Sequence, residues 1–418
     1  MQSLKIITQI FGKIGLLSFG GPAAQIALMH RELVETRDWL TEAQFLRALS
    51  FCMLLPGPEA MQLATYAGWK QRGIIGGLIG GGLFVLPGAV VIMILALTYG
   101  AYGSLDWMQA LFLGVKATVV IVVIEALIKV SRRALKGQRH FIIAVLAFIA
   151  LFFFAVPFPF VILVAGLIGS FAVQTTAPPA PQRLPWRSSG LIVLAGLVLW
   201  AVPIIGVWLL SPAFLLPVGL FFSKLAVVTF GGAYAVLAYM TQEVVTNFGW
   251  VTTDQMMDGL GLAETTPGPL ILATQFIAMV AGYAQGGIGL AMAAGLLTLW
   301  VTFVPCFIWI FAGAPLIDWL EGRLKISGAL SGITAAVVGV IGNLSIWFAA
   351  HVFFGDVVNI NTGPIRTILP VFTSLQLLPV FIATLAAIML LRLHWGIVRV
   401  LIICGSCSLL ALTAGQAL

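Results

Sequence analysis

The chain has 418 residues, of which 61% are hydrophobic and only 8% are charged, and its formal net charge is +7. A soluble protein of this length would carry about a quarter charged residues, so the composition excludes that class. Long apolar stretches recur from end to end and predict an all-α polytopic membrane protein. No Lys/Arg run with interleaved aromatics is present. The charge therefore indicates basic cytoplasmic loops rather than a nucleic-acid surface.

The N-terminus and the cysteines point to no additional chemistry. The first apolar segment resembles a signal peptide, but Lys13 interrupts it and no clean cleavage site follows, so we expect it to be retained. The cysteine pair Cys404 and Cys407 has no second ligand pair, so buried side chains are expected rather than a metal or redox site. We expect no metal and no cofactor.

Thirteen apolar segments follow one another along the chain. They lie near 4–29, 48–68, 74–99, 107–130, 140–156, 158–175, 190–210, 213–240, 256–282, 286–312, 327–350, 368–391 and 394–414. We expect about 10–13 transmembrane segments, because the pieces around two motifs, Phe-Gly-Gly and Pro-Gly-Pro, read as broken or re-entrant helices.

The two halves of the sequence align at an offset of 211 residues. Lys13 falls on Lys224 and Trp39 on Trp250, and both motifs recur at the same offset; a three-residue shift follows them. This pattern predicts two homologous repeats, as in many secondary transporters. We divide the chain into a first repeat at 1–175, a linker with one extra span at 176–210 and a second repeat at 211–418.

Loop charges predict that the repeats are inverted. The loops at 69–73 and 131–139 are basic and that at 100–106 is not, whereas in the second half the basic loop is the one near 313–325. Because basic loops stay in the cytoplasm, corresponding loops of the two repeats lie on opposite sides.

The repeated glycines and prolines predict a binding site for an anion. Gly-Gly permits unusual backbone angles, and proline suits the first turn of a new helix, so each motif offers a helix N-terminus at membrane depth. Such an end carries partial positive charge and unpaired N–H donors. Kinks that serve only helix packing are the alternative. The predicted substrate-binding residues in these breaks are Ser18, Gly20, Gly21, Pro56, Gly57, Pro58, Thr229, Gly231, Gly232, Pro267, Gly268 and Pro269.

Charged residues near the breaks add to this hypothesis. Lys13 and Lys224 each lie seven residues before the first glycine, and a lysine within an apolar span marks an ion pathway unless it reaches back to the interface. We assign both to the substrate site. Glu59 and Glu264 flank the Pro-Gly-Pro motifs and are candidates for coupling to a proton.

Four stretches carry a family resemblance. They begin "SFGGPAAQIALMHRELVETRDWLTEAQF", "LLPGPEAMQLATYAGW", "TFGGAYAVLAYMTQEVV" and "GLAETTPGPLILATQF". Together they resemble the chromate ion transporter family, specifically its long-chain members with two fused halves. The resemblance implies a multi-pass carrier of the bacterial plasma membrane that exports chromate and confers resistance, with sulfate as competitor or counter-ion. One departure is Gln25, where many members have histidine.

The expected function is thus secondary transport of chromate or a similar oxyanion. A sulfate or other oxyanion carrier or exchanger, or an anion channel, is the alternative. A membrane enzyme is not favoured, because no convergent carboxylates, Ser/His pair or metal ligands occur at suggestive spacing. The expected partners are the oxyanion and the lipid bilayer, with no nucleic acid; a homodimer is compatible with the sequence.

Overall fold

A computed structural model describes residues 2–19, 21–171, 186–210, 213–228, 230, 233–317 and 324–416. The described chain is almost entirely helical, which confirms the predicted all-α membrane class. Its α-helices are α1 (Leu4–Leu17), α2 (Gly21–His30), α3 (Glu42–Leu54), α4 (Glu59–Tyr102), α5 (Asp106–Ala134), α6 (Gln138–Phe154), α7 (Phe158–Phe171), α8 (Trp186–Leu210), α9 (Leu215–Val228), α10 (Ala233–Thr241), α11 (Thr253–Thr265), α12 (Ala273–Gly313), α13 (Leu324–Phe353), α14 (Leu377–Ala387) and α15 (Ile397–Gln416).

Five of the described helices are long and apolar enough to cross a membrane. They are Glu59–Tyr102, Asp106–Ala134, Ser189–Leu210, Leu270–Gly313 and Lys325–Phe353. Five shorter apolar helices accompany them: Gln138–Phe154, Phe158–Phe171, Leu215–Val228, Leu377–Arg392 and Ile397–Thr413. The two longest have 44 residues each, more than twice the ~20 residues that a crossing needs.

Helix α4 is in fact two antiparallel arms. Its backbone turns at Arg72 (φ −146°, ψ 32°) and Gly73 (φ 59°, ψ −150°). The arms 59–71 and 74–102 then pack so closely that a Cβ atom on Gly80 would lie 2.6 Å from the carbonyl oxygen of Ala64, and one on Gly68 would overlap that of Gly76. Small residues permit this contact between backbones.

Helix α12 folds back in the same way. The turn lies at Gly286 (φ −157°, ψ 20°) and Gly287 (φ 68°, ψ −158°). A Cβ on Gly282 would lie 2.9 Å from the carbonyl oxygen of Leu290 across the turn. The two turns are 214 residues apart and have nearly the same backbone angles, in agreement with the three-residue shift between the aligned halves.

The loop before α3 also recurs 211 residues later. Trp39 N donates to the Leu33 carbonyl, and Trp250 N donates to the Val244 carbonyl, each at 2.8 Å. The following helix begins each time with a reciprocal pair of hydrogen bonds, between Thr41 and Gln44 and between Thr252 and Gln255. This pair satisfies two backbone donors at the helix start.

The first two helices of the chain form a hairpin. Arg72 Nε donates to the Gln2 carbonyl (3.1 Å), and the neighbouring Gln71 Nε2 donates to the Trp39 carbonyl (3.0 Å). Both ends of the α1–α2 pair therefore lie at one turn, whereas a crossing would separate them by about 30 Å. The same contacts place the start of α3 beside the end of arm 59–71. These two helices form a second hairpin, with Pro56-Gly57-Pro58 at its tip.

The described chain divides into two compact units that each draw on both halves of the sequence. One unit comprises 1–100, 176–236 and 262–323; the other comprises 101–175, 237–261 and 324–418. The division at 176–210 between two sequential repeats stays a prediction.

A β-hairpin in the second unit was not predicted. Strand β1 (Val357–Thr362) pairs antiparallel with β2 (Ile365–Pro370), with Thr362 opposite Ile365. The two-residue turn has Gly363 at φ 60° followed by proline, which is the backbone that a tight hairpin turn requires.

Candidate functional site

The first hairpin tip is the predicted Phe-Gly-Gly break. Helix α1 ends at Leu17, and the buried Ser18 turns its hydroxyl back onto the Ile14 carbonyl (2.6 Å). Gly21 has φ 77°, and Pro22 follows it in the first turn of α2. Gly20 lies outside the described residues.

Both Pro-Gly-Pro motifs interrupt the helices as well. Gly57 has φ 114° and Gly268 has φ 92°, a region that favours glycine. A new helix begins directly after Pro58, and a short 3₁₀ turn leads from Pro269 into α12. Each break thus produces a helix N-terminus, as the sequence indicated.

Two of these tips come into direct contact within one unit. Gly268 N donates to the Ser18 carbonyl at 2.9 Å. The side-chain amide of Gln25 donates to the Gly268 carbonyl at 2.6 Å and to the Ser18 carbonyl at 3.3 Å. Gln25 is only 2% exposed, so it joins the two tips from inside the protein. We did not assign Gln25 to the site from the sequence, although its position one turn after Pro22 places it close to the helix break.

A small cavity lies at this junction. It is partly open to the surroundings. Its walls come from the first turns of α2, of arm 59–71 and of the helix after the second Pro-Gly-Pro. The lining residues are Pro22, Gln25, Pro58, Glu59, Ala60, Pro269 and Leu270. The first turns of helices carry N–H groups without partners in the helix and the positive ends of the helix dipoles.

Close backbone packing holds the Pro-Gly-Pro tips in place. A Cβ on Gly88 in arm 74–102 would overlap the Pro267 carbonyl oxygen. A Cβ on Gly57 would lie 2.8 Å from Cys306 Sγ and 2.9 Å from Gln62 Nε2, and that amide donates to the Pro56 carbonyl at 2.7 Å. Each tip thus packs against the long helical arm from the other half of the sequence.

The two predicted lysines do not line the cavity. Lys13 Nζ donates to Glu32 at 2.7 Å, and Arg37 binds the same carboxylate. The Glu32 side chain is 5% exposed and that of Lys13 is 51% exposed. The hydrogen bond from Lys13, followed by that from Arg37, holds the pKa of Glu32 below its usual value despite burial. Lys224 is exposed on α9.

The other predicted residues are distributed as follows. Glu59 lines the cavity. Glu264 is buried and accepts a hydrogen bond from the Tyr234 hydroxyl at 2.6 Å. Thr229, Gly231 and Gly232 lie outside the described residues. Among the described residues, no group of three His, Cys, Asp or Glu side chains is arranged to hold a metal ion.

The fold and this junction define a multi-pass helical membrane protein with broken helices in its interior, an arrangement typical of secondary transporters. The sequence model described as "Chromate transporter" matches residues 6–170 and 216–409. The chain belongs to the chromate transporter family.

Curated relatives agree with this assignment. The chain is 33% identical over 340 residues to the probable chromate transport protein of Synechococcus elongatus, covering 81% of this chain and 83% of the relative. It is 32% identical to the chromate transport protein of Cupriavidus metallidurans, covering 81% of each chain, and 30% identical to that of Pseudomonas aeruginosa, covering 80% of this chain and 79% of the relative. No solved structure matches the chain.

Proposed function

We propose that this protein is a secondary transporter that exports chromate, or a similar oxyanion, across the bacterial inner membrane, and that the anion binds in the cavity between the hairpin tips. The observation that carries the proposal is the convergence of three helix N-termini on one cavity lined by Pro22, Pro58 and Pro269. Helix N-termini bind oxyanions through backbone N–H groups and need neither metal nor cofactor.

The repeats explain how the tips reach each other. In our proposal the two repeats have inverted topology, and their Phe-Gly-Gly and Pro-Gly-Pro hairpins are re-entrant, entering from opposite sides of the membrane. The hydrogen bond between Gly268 N and the Ser18 carbonyl supports this proposal, because it joins the tip of a first-repeat hairpin to a second-repeat break. Irregular backbone is tolerated at membrane depth where it lines such a cavity.

The membrane potential supplies a driving force for export. Moving one charge through 100 mV is worth about 2.3 kcal/mol, and a dianion gains this twice when it leaves a cell with a negative interior. The chain contains no phosphate-binding loop of the G-x-x-x-x-G-K-[ST] type. Potential-driven export therefore fits the sequence.

Glu59 is the residue through which a proton would be coupled to the anion. It is the acidic residue among those that line the cavity. A negative Glu59 repels a dianion, so binding of the anion favours the protonated acid. Glu264, hydrogen-bonded to Tyr234, is the corresponding candidate beside the second break. Lys13 and Lys224 act in this proposal as cations on the approach to the cavity.

Reconstituted protein tests the proposal. Chromate flux into liposomes is measured under an imposed potential, with sulfate as competitor, for wild type and a Lys13→Ala/Lys224→Ala variant. A Lys136→Ala variant, which changes a lysine of the basic loop 131–139, is the control. We expect saturable, sulfate-inhibited flux that the double variant loses and the control keeps. Counterflow distinguishes a carrier from an anion channel.

A folded protein that carries sulfate but not chromate would reassign the substrate. Flux that neither saturates nor shows counterflow would favour the channel. A folded protein that moves no oxyanion would contradict the proposal.

A further inference from the structure

A line of buried polar side chains runs along arm 288–313 of α12. Thr298, Thr302 and Cys306 follow each other at four-residue intervals and therefore share one face of the helix. All three are at most 2% exposed. Gln62 meets the line at one end, since Gly57 packs against both Gln62 Nε2 and Cys306 Sγ.

Gln275 meets the other end of the line. Its Cγ lies 3.6 Å from the position of a Cβ on Gly295, which is three residues before Thr298. Its amide nitrogen donates to the Ala89 carbonyl at 3.1 Å. We call these five residues the polar file: Gln275, Thr298, Thr302, Cys306 and Gln62. All of them lie within one compact unit.

Four side chains of the polar file have an oxygen atom without a hydrogen-bond partner among the described residues. These atoms are Oε1 of Gln62, Oγ1 of Thr298, Oγ1 of Thr302 and Oε1 of Gln275. Buried threonines elsewhere in the described helices behave differently. Thr65, Thr118 and Thr241 each donate to the carbonyl four residues earlier, at 2.8–2.9 Å.

Buried oxygen atoms without a hydrogen-bond partner are rare in protein interiors, because they have lost their hydrogen bonds to water and gained none in return. Two hydroxyl groups between two amide oxygens supply both donors and acceptors, which is the set that bound water needs. Apolar cavities lack such groups and stay dry. We infer that the polar file binds a chain of water molecules within the protein.

The polar file lies close to Glu59, which suggests a role for the bound water in proton exchange. Gln62 lies one turn after Glu59, on the same arm of α4, and Glu59 lines the cavity. The water chain therefore ends one helical turn from the acidic residue of the cavity wall and would give that residue a route for exchanging a proton. The inference about bound water does not rest on which ion the protein carries.

Radiolytic footprinting tests the inference, because radicals formed from bound water oxidise the adjacent side chains in place. Cys306 is the reporter. Cys404, equally buried, is the matched control; its backbone packs against Gly114 on α5, and its thiol lies 4.0 Å from the Ile382 carbonyl oxygen. In wild-type protein in nanodiscs, we expect mass spectrometry to show Cys306 oxidised at least about tenfold faster than Cys404.

Two variants test whether the polar file causes the faster oxidation of Cys306. Thr298→Val/Thr302→Val removes both hydroxyl groups at nearly constant shape and should reduce the oxidation rate of Cys306 to that of Cys404. Thr302→Ser keeps the hydroxyl and should keep the wild-type rate. Oxidation of Cys306 no faster than that of Cys404 in wild type would overturn the inference. So would an unchanged rate in the folded valine variant.

Discussion

The side-chain amide of Gln25 donates to the carbonyl oxygen of Gly268 at 2.6 Å, across 243 residues of sequence. It also contacts the Ser18 carbonyl, so a single neutral side chain joins two helix breaks that come from different halves of the sequence. The cavity opens at this junction. A displacement of Gln25 would therefore change the wall of the cavity in which we propose that the anion binds.

Replacing Gln25 by leucine should reduce transport at least about tenfold. The change leaves the Gly268 carbonyl without the amide donor, while the Ser18 carbonyl keeps its hydrogen bond from Gly268 N. An unsatisfied buried carbonyl costs about 1–3 kcal/mol, so the contact between the two tips is weakened. Flux in proteoliposomes measures the effect. Gln138→Ala, on the exposed first turn of α6, should transport like wild type. Wild-type flux in Gln25→Leu would show that the junction can do without this amide.

Glycine at position 88 is expected to be essential for the packing of the second tip. A Cβ there overlaps the Pro267 carbonyl, whereas one at Gly82, on the same arm, meets nothing within 4 Å. Gly88→Ala should therefore lose about 1–3 kcal/mol of stability, and Gly82→Ala should lose none. Melting temperatures in detergent compare the two. Equal melting temperatures would mean that the close contact is relieved without cost.

The ion pairs of Glu32 with Lys13 and Arg37 should make the protein less stable at acidic pH. The bonds from Lys13 and Arg37 lower the pKa of Glu32 in the folded state. Its stabilisation is therefore present above the unfolded pKa, near 4.5, and is lost as the pH falls through the folded pKa. The melting temperature of wild type should fall in this acid range more steeply than that of Glu32→Gln. Asp356→Asn, which changes an exposed carboxylate in the second unit, is the control and should show the wild-type dependence of melting temperature on pH. If the melting temperature of Glu32→Gln fell with pH as steeply as that of wild type, Glu32 would not be the cause.

His30 should make the stability of the protein fall as the pH rises, the opposite of the effect of Glu32. Its ring lies 2.6 Å from Glu42 and 3.0 Å from Glu35. The hydrogen bond with Glu42 is the main reason why the pKa of His30 is raised above 6.5. The stabilisation is thus complete below pH 6.5 and is lost as the pH rises through the folded value. NMR titration of the His30 ring should give a lower pKa in Glu42→Gln than in wild type, and an unchanged pKa would contradict the assigned cause.

The helix breaks were predictable because glycine and proline act locally. Gly57 and Gly268 occupy backbone angles that other residues avoid, and the residues on either side show this in the sequence. The turn at Gly73 was predictable too, because Lys70 and Arg72 interrupt the apolar sequence between the segments 48–68 and 74–99. Composition establishes the class of protein, and the charged residues between apolar segments show where this chain reverses direction.

Contacts between distant residues could not be predicted. Gln25 faces Gly268 only because two tips from different halves meet, and no pattern within either half encodes that contact. Lys13 illustrates the same limit, since its spacing from Phe-Gly-Gly indicated an ion pathway but its nearest charge is Glu32. The β-hairpin at 357–370 was not predicted, because its second strand runs into the apolar segment at 368–391.

Filling the cavity tests the central claim most directly. Ala60 is buried in the cavity wall, and Ala60→Leu places a larger side chain where we propose that the oxyanion binds. Ala24→Leu, on an exposed position of α2, adds the same atoms outside the cavity. Chromate flux in proteoliposomes under an imposed potential should be saturable and sulfate-inhibited in wild type and Ala24→Leu. It should be lost in Ala60→Leu protein that is still folded, as a cooperative melting transition shows. Wild-type chromate flux through folded Ala60→Leu protein would contradict the account.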